Sequence, residues 1–287
     1  NIKEMNHPRQ VLKEANIFAN KELGQNFLSS AGIADMIVEK TGISQNAHVL
    51  EIGPGLGALT FAIAKKAAHI SVIEKDRRLI PLLNKEIKAQ GINNIKIFRD
   101  DILKINIKQL VQEKKLIVLG NLPYNISSQI LVKLIKEREY IDKVVLMFQK
   151  EMADRILSSP GTRDYSRLSV LAQYAADISL IANINPSSFF PKPKVNSTVL
   201  KFNFFKPPEL DNEQEALLFN IIKAAFSKRR KTLKNSMAGG EMMYEKQFVL
   251  QALTMAGIDA TRRAETLSVE EFKKIMQAVW ALNPVKA

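Results

Sequence analysis

The sequence contains no cysteine and only three histidines, His7, His48 and His69. A disulfide framework, a thiolate zinc site, an iron–sulfur cluster and any mechanism with a cysteine nucleophile are therefore excluded. The histidines are too scattered to suggest a metal cluster or a triad, and no metal is implied. No apolar run approaches the roughly 20 residues that span a bilayer. The opening "NIKEMNHPRQVLKEANIF" lacks the apolar block of a signal peptide. The expected placement is cytoplasmic, without a membrane partner. What chemistry remains must run on backbone groups, amides, carboxylates and aromatic rings.

Against these absences stands an excess of positive charge, a formal net +13. Lysines and arginines that displace counterions from phosphates supply most nonspecific nucleic-acid affinity, so the charge points to a polyanionic partner. At 287 residues, the chain has room for one large domain, or a large and a small one.

From Asn46 to about Met152, short β-rich runs alternate with helical patterns. "HVLEIG" (48–53), "HISVIE" (69–74), "NIKIFRD" (94–100), "KLIVLG" (115–120) and "KVVLMF" (143–148) are apolar nearly throughout, as strands covered on both faces are. Between them, "LTFAIAKKA", "RRLIPLLNKEIKAQ" and "SSQILVKLIKER" repeat apolar residues at helical spacing. The pattern predicts a doubly wound α/β domain with a mostly parallel, Rossmann-like sheet. A further helix, "SRLSVLAQYAA", precedes two extended runs, "ISLIANI" and "STVLKFNFF", expected to close the sheet as an antiparallel pair. The proline-bearing "FFKPPELDNEQ" reads as a linker, and only helical periodicity follows it. Residues 1–205 are thus expected to form the catalytic domain and 206–287 a small all-α domain.

"VLEIGPGLGALT" is a strand, a glycine-rich turn and a helix start. Gly53, Gly55 and Gly57 let the backbone approach a ligand at the carboxyl edge of the sheet, but their spacing is not the G-x-G-x-x-G of dinucleotide binding. Glu51 lies near the end of that apolar strand, where a carboxylate needs a polar partner. Glu74 ends the second strand, where it could accept both hydroxyls of a ribose. Asp101 follows the third and could accept an adenine amine, with Ile102 against the ring. Asp100 stands beside it, and alternation along "IKIFRDD" favours Asp101. Both NAD and S-adenosylmethionine carry an adenosine. A pyrophosphate needs a free helix N-terminus, whereas the shorter glycine spacing and the downstream "NLPY" favour the methyl donor.

"GNLPYNISS" (120–128) puts an amide, a proline and an aromatic ring at the tip of a strand. Methylating an adenine amine demands such groups, because the N6 lone pair is delocalised into the ring. The Asn121 side-chain oxygen and the Leu122 carbonyl could accept the two N6–H bonds and aim the lone pair at a sulfonium methyl. Pro123 restricts Leu122 to an extended conformation, and Tyr124 offers a face on which a flipped base stacks. The alternative is an ordinary turn with a partly buried tyrosine.

At these residues the sequence resembles the ribosomal RNA small-subunit adenine N6,N6-dimethyltransferases, over nearly the whole chain. "ANKELGQNFL" is similar to the family's donor-covering segment, "EIGPGLGALT" and "NLPY" to its donor and target motifs, and "SFFPKPKVNS", "AFSKRRKTLKNSM" and "RAETLSVEEF" to its later elements. The resemblance implies transfer of methyl groups from S-adenosylmethionine to N6 of two adjacent adenosines near the 3′ end of 16S rRNA, in an immature small subunit, by a monomer. It implies donor contacts from Gln25, Asn26, Leu28, Glu51, Gly53, Gly55, Glu74, Lys75, Asp101, Ile102 and Asn121, and a base held by Asn121, Leu122, Pro123 and Tyr124, with Phe189 opposite Tyr124. The run "KAAFSKRRKTLKNSMAGG" carries Lys223, Lys228, Arg229, Arg230, Lys231 and Lys234 and no acid, and is expected to contact RNA phosphates. Three rivals remain: a large-subunit rRNA methyltransferase of the macrolide-resistance type, a ribosome-assembly or nucleic-acid-binding factor without catalysis, and an NAD-linked oxidoreductase.

Overall fold

A computed structural model describes residues 6–20, 22–111, 113–205, 208–228, 230–239 and 244–282. Its strands are β1 (Phe27–Leu28), β2 (His48–Ile52), β3 (His69–Ile73), β4 (Ile95–Phe98), β5 (Leu116–Asn121), β6 (Ile141–Gln149), β7 (Ala176–Ile184), β8 (Phe189–Phe190) and β9 (Ser197–Phe204). Its α-helices are α1 (Pro8–Glu14), α2 (Ala31–Thr41), α3 (Ala58–Ala64), α4 (Ile80–Ala89), α5 (Ser127–Lys136), α6 (Lys150–Leu157), α7 (Arg167–Ala175), α8 (Asn212–Ala225), α9 (Leu233–Ser236), α10 (Lys246–Met255) and α11 (Val269–Leu282).

Among the described residues a seven-stranded sheet runs in the order β4-β3-β2-β5-β6-β9-β7. Strands β4 through β6 are parallel, and β9 pairs antiparallel with β6. The closing strands do not simply extend the sheet in chain order, since β9 inserts between β6 and β7. The order reverses at β2, whose two neighbours are β3 and β5, and this reversal opens a crevice at the strands' carboxyl ends. Val49, Val72, Val118 and Leu119 are almost fully buried, as the continuous apolar runs require. Each such side chain contributes about 1.5–3 kcal/mol through burial. Helices α2, α3 and α4 supply Ile37, Val38, Ile63, Leu83 and Ile87 to a core with Val49, Ile70, Ile117 and Val145. Strand β4 departs from the expectation of two covered faces: it is one of the sheet's two edge strands, with Lys96 exposed and its ammonium 5.0 Å from the centre of the Phe98 ring.

Gly120 on β5 lies opposite Ile52 on β2. A Cβ there would lie 2.9 Å from the Ile52 carbonyl oxygen, so no larger residue fits without moving one strand. This keeps Glu51 on β2 and Asn121 on β5 at neighbouring strand ends.

A second, two-stranded pairing joins distant parts of the chain: β1 runs antiparallel to β8, with Phe27 opposite Phe190 and Leu28 opposite Phe189.

The chain divides into two compact units, one of residues 1–153 with 177–204 and one of residues 154–176 with 205–287. Residues 154–176, which the sequence pattern assigns to the first domain, cluster with the helical one. There α7 packs on α8 and α11. Tyr174 donates to Glu215 at 2.8 Å, and Phe226 stacks on Phe272 with ring centres 6.0 Å apart. Asp211 caps α8 by accepting from the Glu213 and Gln214 amides at 3.0 and 2.8 Å.

Candidate active site

The carboxyl ends of β2, β3 and β5, the loop after β4 and the segment 22–28 line a single cavity within the first unit. Gln25, Asn26, Leu28, Glu51, Gly53, Gly55, Glu74, Lys75, Asp101, Ile102, Asn121, Leu122, Pro123 and Tyr124 all contribute to its wall. Residues from five separate stretches of chain therefore meet at one crevice.

Gly55 adopts φ of +57°, and a Cβ there would sit 3.0 Å from the Phe27 ring, so the turn needs a glycine for both its backbone and its neighbour. Glu51 is 1% exposed, and its Oε2 has no hydrogen-bond partner. Burial, with the nearby Glu74 charge adding to it, pushes the Glu51 carboxyl up to about 8. Glu74 is oriented by backbone amides: Oε1 accepts from Asp76 at 2.7 Å and Oε2 from Gly55 at 3.2 Å. Burial raises its pKa as well, against the pull of those two amides. Each of its oxygens retains a second lone pair for a ligand.

Of the two aspartates after β4, Asp101 is the better held. Its Oδ2 meets the Lys75 ammonium at 2.9 Å and its Oδ1 accepts from the Leu103 amide at 3.0 Å. Burial works to raise its pKa, but the Lys75 and Leu103 bonds outweigh it and hold the carboxyl below the usual range. Asp100 lines the cavity too but is exposed.

At the other end, the Asn121 Nδ2 donates to the Asn26 carbonyl at 2.9 Å, which turns its Oδ1 into the group available to accept. The Tyr124 hydroxyl is 3.0 Å from Ser197 Oγ, and the Tyr124 carbonyl accepts from Ser127 Oγ at 3.0 Å, so ring and backbone are both fixed. Asn125 Nδ2 donates to the Glu22 carbonyl at 3.0 Å. The segment 22–26 is thus fastened to the Asn-Leu-Pro-Tyr turn by two side-chain amides.

Phe189 is placed differently from the expectation. It is 4% exposed, packs in the core with Leu28, Ile184 and Val199, and is not among the residues that line the cavity. The reason is β8: pairing with β1 and alternation along the strand send Phe189 inward beside Leu28 and Phe190 toward Phe27, Leu12, Leu56 and Leu79. The sequence reading also misses cavity residues. Glu22, Gly24, Phe27, Leu79 and Asn125 line it, and Asp76 stands behind it, with Gln25 donating to Asp76 Oδ2 at 2.8 Å. "EKD" beside Glu74 was a local signal for Asp76; Leu79 had none, since it reads as any apolar helix start.

The basic run lies in the helical unit. Helix α8 ends at Ala225, so Lys228, Arg230 and Lys231 sit exposed on the following turn, Lys223 on α8 and Lys234 on α9. Arg229 lies outside the described residues. The described cations therefore run from α8 through the turn to α9, not along one helix face.

The family model for ribosomal RNA adenine dimethylase matches residues 17–280. A relative from Desulforapulum autotrophicum named ribosomal RNA small subunit methyltransferase A is 50% identical, over 97% of this chain and 98% of its own. One of the same name from Clostridium acetobutylicum is 38% identical over 97% of this chain and 100% of its own. Among solved structures, a dimethyladenosine transferase from Plasmodium falciparum is similar at 30% identity and a TM-score of 0.73, covering 87% of this chain and 95% of that one. The 23S rRNA methyltransferase ErmE shares the fold, with a TM-score of 0.64 at 23% identity over 88% of this chain and 99% of its own. A match that runs through the glycine-rich turn, the Asn-Leu-Pro-Tyr turn and the helical unit alike leaves one assignment: the chain belongs to the ribosomal RNA adenine dimethylase family.

Proposed function

We propose that the protein is an S-adenosylmethionine-dependent methyltransferase that dimethylates N6 of two adjacent adenosines near the 3′ end of 16S rRNA, acting as a monomer on an immature small subunit. The observation that carries the reading is the Asn121 amide, tied through Nδ2 to the Asn26 carbonyl so that Oδ1 is left to accept from an amine.

The cavity suits the donor. The buried, unpartnered Glu51 Oε2 calls for a cationic group such as an α-ammonium, and Gly55 adds no side chain of its own to the wall beside the Phe27 ring. Glu74 would hold the ribose, Asp101 the adenine amine with Ile102 against its ring, and Gln25, Asn26, Leu28, Gly53 and Lys75 would complete the wall. When bound, S-adenosylmethionine supplies an electrophilic methyl on a sulfonium.

The acceptor side follows from the turn. The target base stacks on Tyr124, whose ring is braced by Ser197, a contact worth about 1–3 kcal/mol per base. Asn121 Oδ1 and the Leu122 carbonyl accept the N6 hydrogens and draw the nitrogen toward a tetrahedral, nucleophilic geometry. No strong base is required, because the N6 proton becomes acidic once the nitrogen has been alkylated. With Phe189 in the core, the sandwich contact is not among the roles assigned. Lys223, Lys228, Arg229, Arg230, Lys231 and Lys234 contact phosphates of the RNA.

The test is methyl transfer from labelled S-adenosylmethionine to immature small subunits and, separately, to large-subunit RNA, with mass analysis of the nucleosides. N6,N6-dimethyladenosine in the small subunit is expected. Modification of large-subunit RNA alone would overturn the substrate assignment. Asn121→Ala is expected to abolish transfer while leaving RNA binding in place; transfer at the unmodified rate would remove Asn121 from the chemistry.

A further inference from the structure

We propose that Asp76 is a positioning residue for donor capture, latching the segment that covers the donor cavity, through Gln25, onto the loop that carries Glu74. The inference rests on the methyltransferase reading and adds to it a residue outside the cavity wall.

Asn20 and residues 22–29 form a strap closed on itself and fastened to its surroundings. Gln25 Oε1 accepts from the Asn20 amide at 2.8 Å, and the Gln25 amide donates to the Asn20 carbonyl at 3.2 Å, making a compact turn. Toward the acceptor loop, the strap is held by Asn121 on the Asn26 carbonyl and Asn125 on the Glu22 carbonyl. Beyond the turn, the Ser29 amide donates to the Ser188 carbonyl at 2.8 Å next to the β1–β8 pairing. Toward the donor loop the link is Gln25 Nε2 to Asp76 Oδ2 at 2.8 Å.

Asp76 is built for that link. It is 5% exposed, and its carboxylate is gripped by Arg78 through Nε at 2.9 Å, a guanidinium NH2 at 2.7 Å and the backbone amide at 3.0 Å. The Arg78 bonds hold the carboxyl down at about 2, so the acceptor facing Gln25 is an anion throughout the working range. The backbone amide of the same residue donates to Glu74 Oε1. One residue therefore orients the ribose-binding carboxylate with its main chain and the strap with its side chain. Gln25 cannot compensate by rotating, because its oxygen is already committed to Asn20.

Asp76→Asn removes the charge while keeping the size and the Glu74 bond. Oδ2 accepts from both Gln25 and an Arg78 guanidinium nitrogen and Oδ1 from Arg78 Nε and the Arg78 amide, so the new nitrogen opposes a donor in either orientation, and the Gln25 bond is lost outright or loses its charged acceptor. A charge-assisted hydrogen bond lost from the strap predicts a donor KM raised about tenfold, with kcat at saturating donor and the RNA KM within about twofold of the parent. Gln25→Ala, which leaves the Asp76–Arg78 pair intact, should raise the donor KM as well, and the double variant should be no worse than the poorer single one. Arg78→Met, which breaks the pair from the other side, should leave the donor KM within about threefold. An unchanged donor KM in Asp76→Asn, a loss confined to kcat, additive effects with Gln25→Ala, or equal effects from Asp76→Asn and Arg78→Met would each overturn the latch. Absence of methyl transfer by the parent protein would instead overturn the methyltransferase reading, so the two failures are distinguishable.

Discussion

Glu51→Gln should make the donor-free protein more stable, by an amount that grows with pH. In the folded chain the Glu51 carboxyl keeps its proton up to about pH 8, whereas its ordinary value is 4.5. Between those two values the unfolded state binds fewer protons than the folded one, so the parent loses stability as pH rises. One pKa unit is worth about 1.4 kcal/mol, which puts the accumulated penalty at about 3 kcal/mol by pH 7. Glutamine does not ionise and carries no such slope. Other titrating groups are common to both proteins and cancel in the difference. Urea unfolding of parent and variant at pH 5, 6, 7 and 8 without donor should therefore give a stability difference that widens with pH and levels off near pH 8. The cost of the change is function: an ammonium-bearing donor draws Glu51 into its charged form, so added donor should stabilise the parent increasingly at higher pH and the variant much less. Parallel stability curves for the two proteins from pH 5 to 8 would refute the argument.

Tyr124→Phe keeps the stacking face and loses only the Ser197 bond, so steady-state kinetics should show a loss of a few fold, while Tyr124→Ala should cost about 1–3 kcal/mol in kcat/KM. Gly120→Ala puts a Cβ 2.9 Å from the Ile52 carbonyl, and a thermal melt should register about 1–3 kcal/mol of destabilisation together with weakened donor binding. Replacing Lys228, Arg230 and Lys231 one at a time should weaken binding to all RNA sequences alike and lower the slope of log K against log salt by about 1 for each phosphate contact removed; unchanged slopes would place the RNA elsewhere.

Much of the candidate donor site was legible because it is local. Glu51, Gly53 and Gly55 occupy one strand and its turn, and Glu74 and Asp101 end the next two strands; a parallel βαβ order places successive strand ends along one edge of the sheet. Residues 121–124 were legible for the same reason, as they close a strand whose apolar run announces where it ends.

Tertiary pairing decided the rest. Strands β1 and β8 are two residues each and lie some 160 positions apart, too short for alternation to declare them, yet their register sends Phe189 into the core and Phe27 against Gly55. The insertion of β9 between β6 and β7, and the clustering of residues 154–176 with the helical unit, follow from which faces found partners. The bond from Gln25 to Asp76 joins residues with no common period or motif. The sequence by itself determined the elements, the chemistry at their ends and the family, because periodicity and turn residues act over a few positions. Which distant segments close over that chemistry only the folded chain decided, because hydrogen-bond partners and packing faces are shared across space and leave no repeat along the chain.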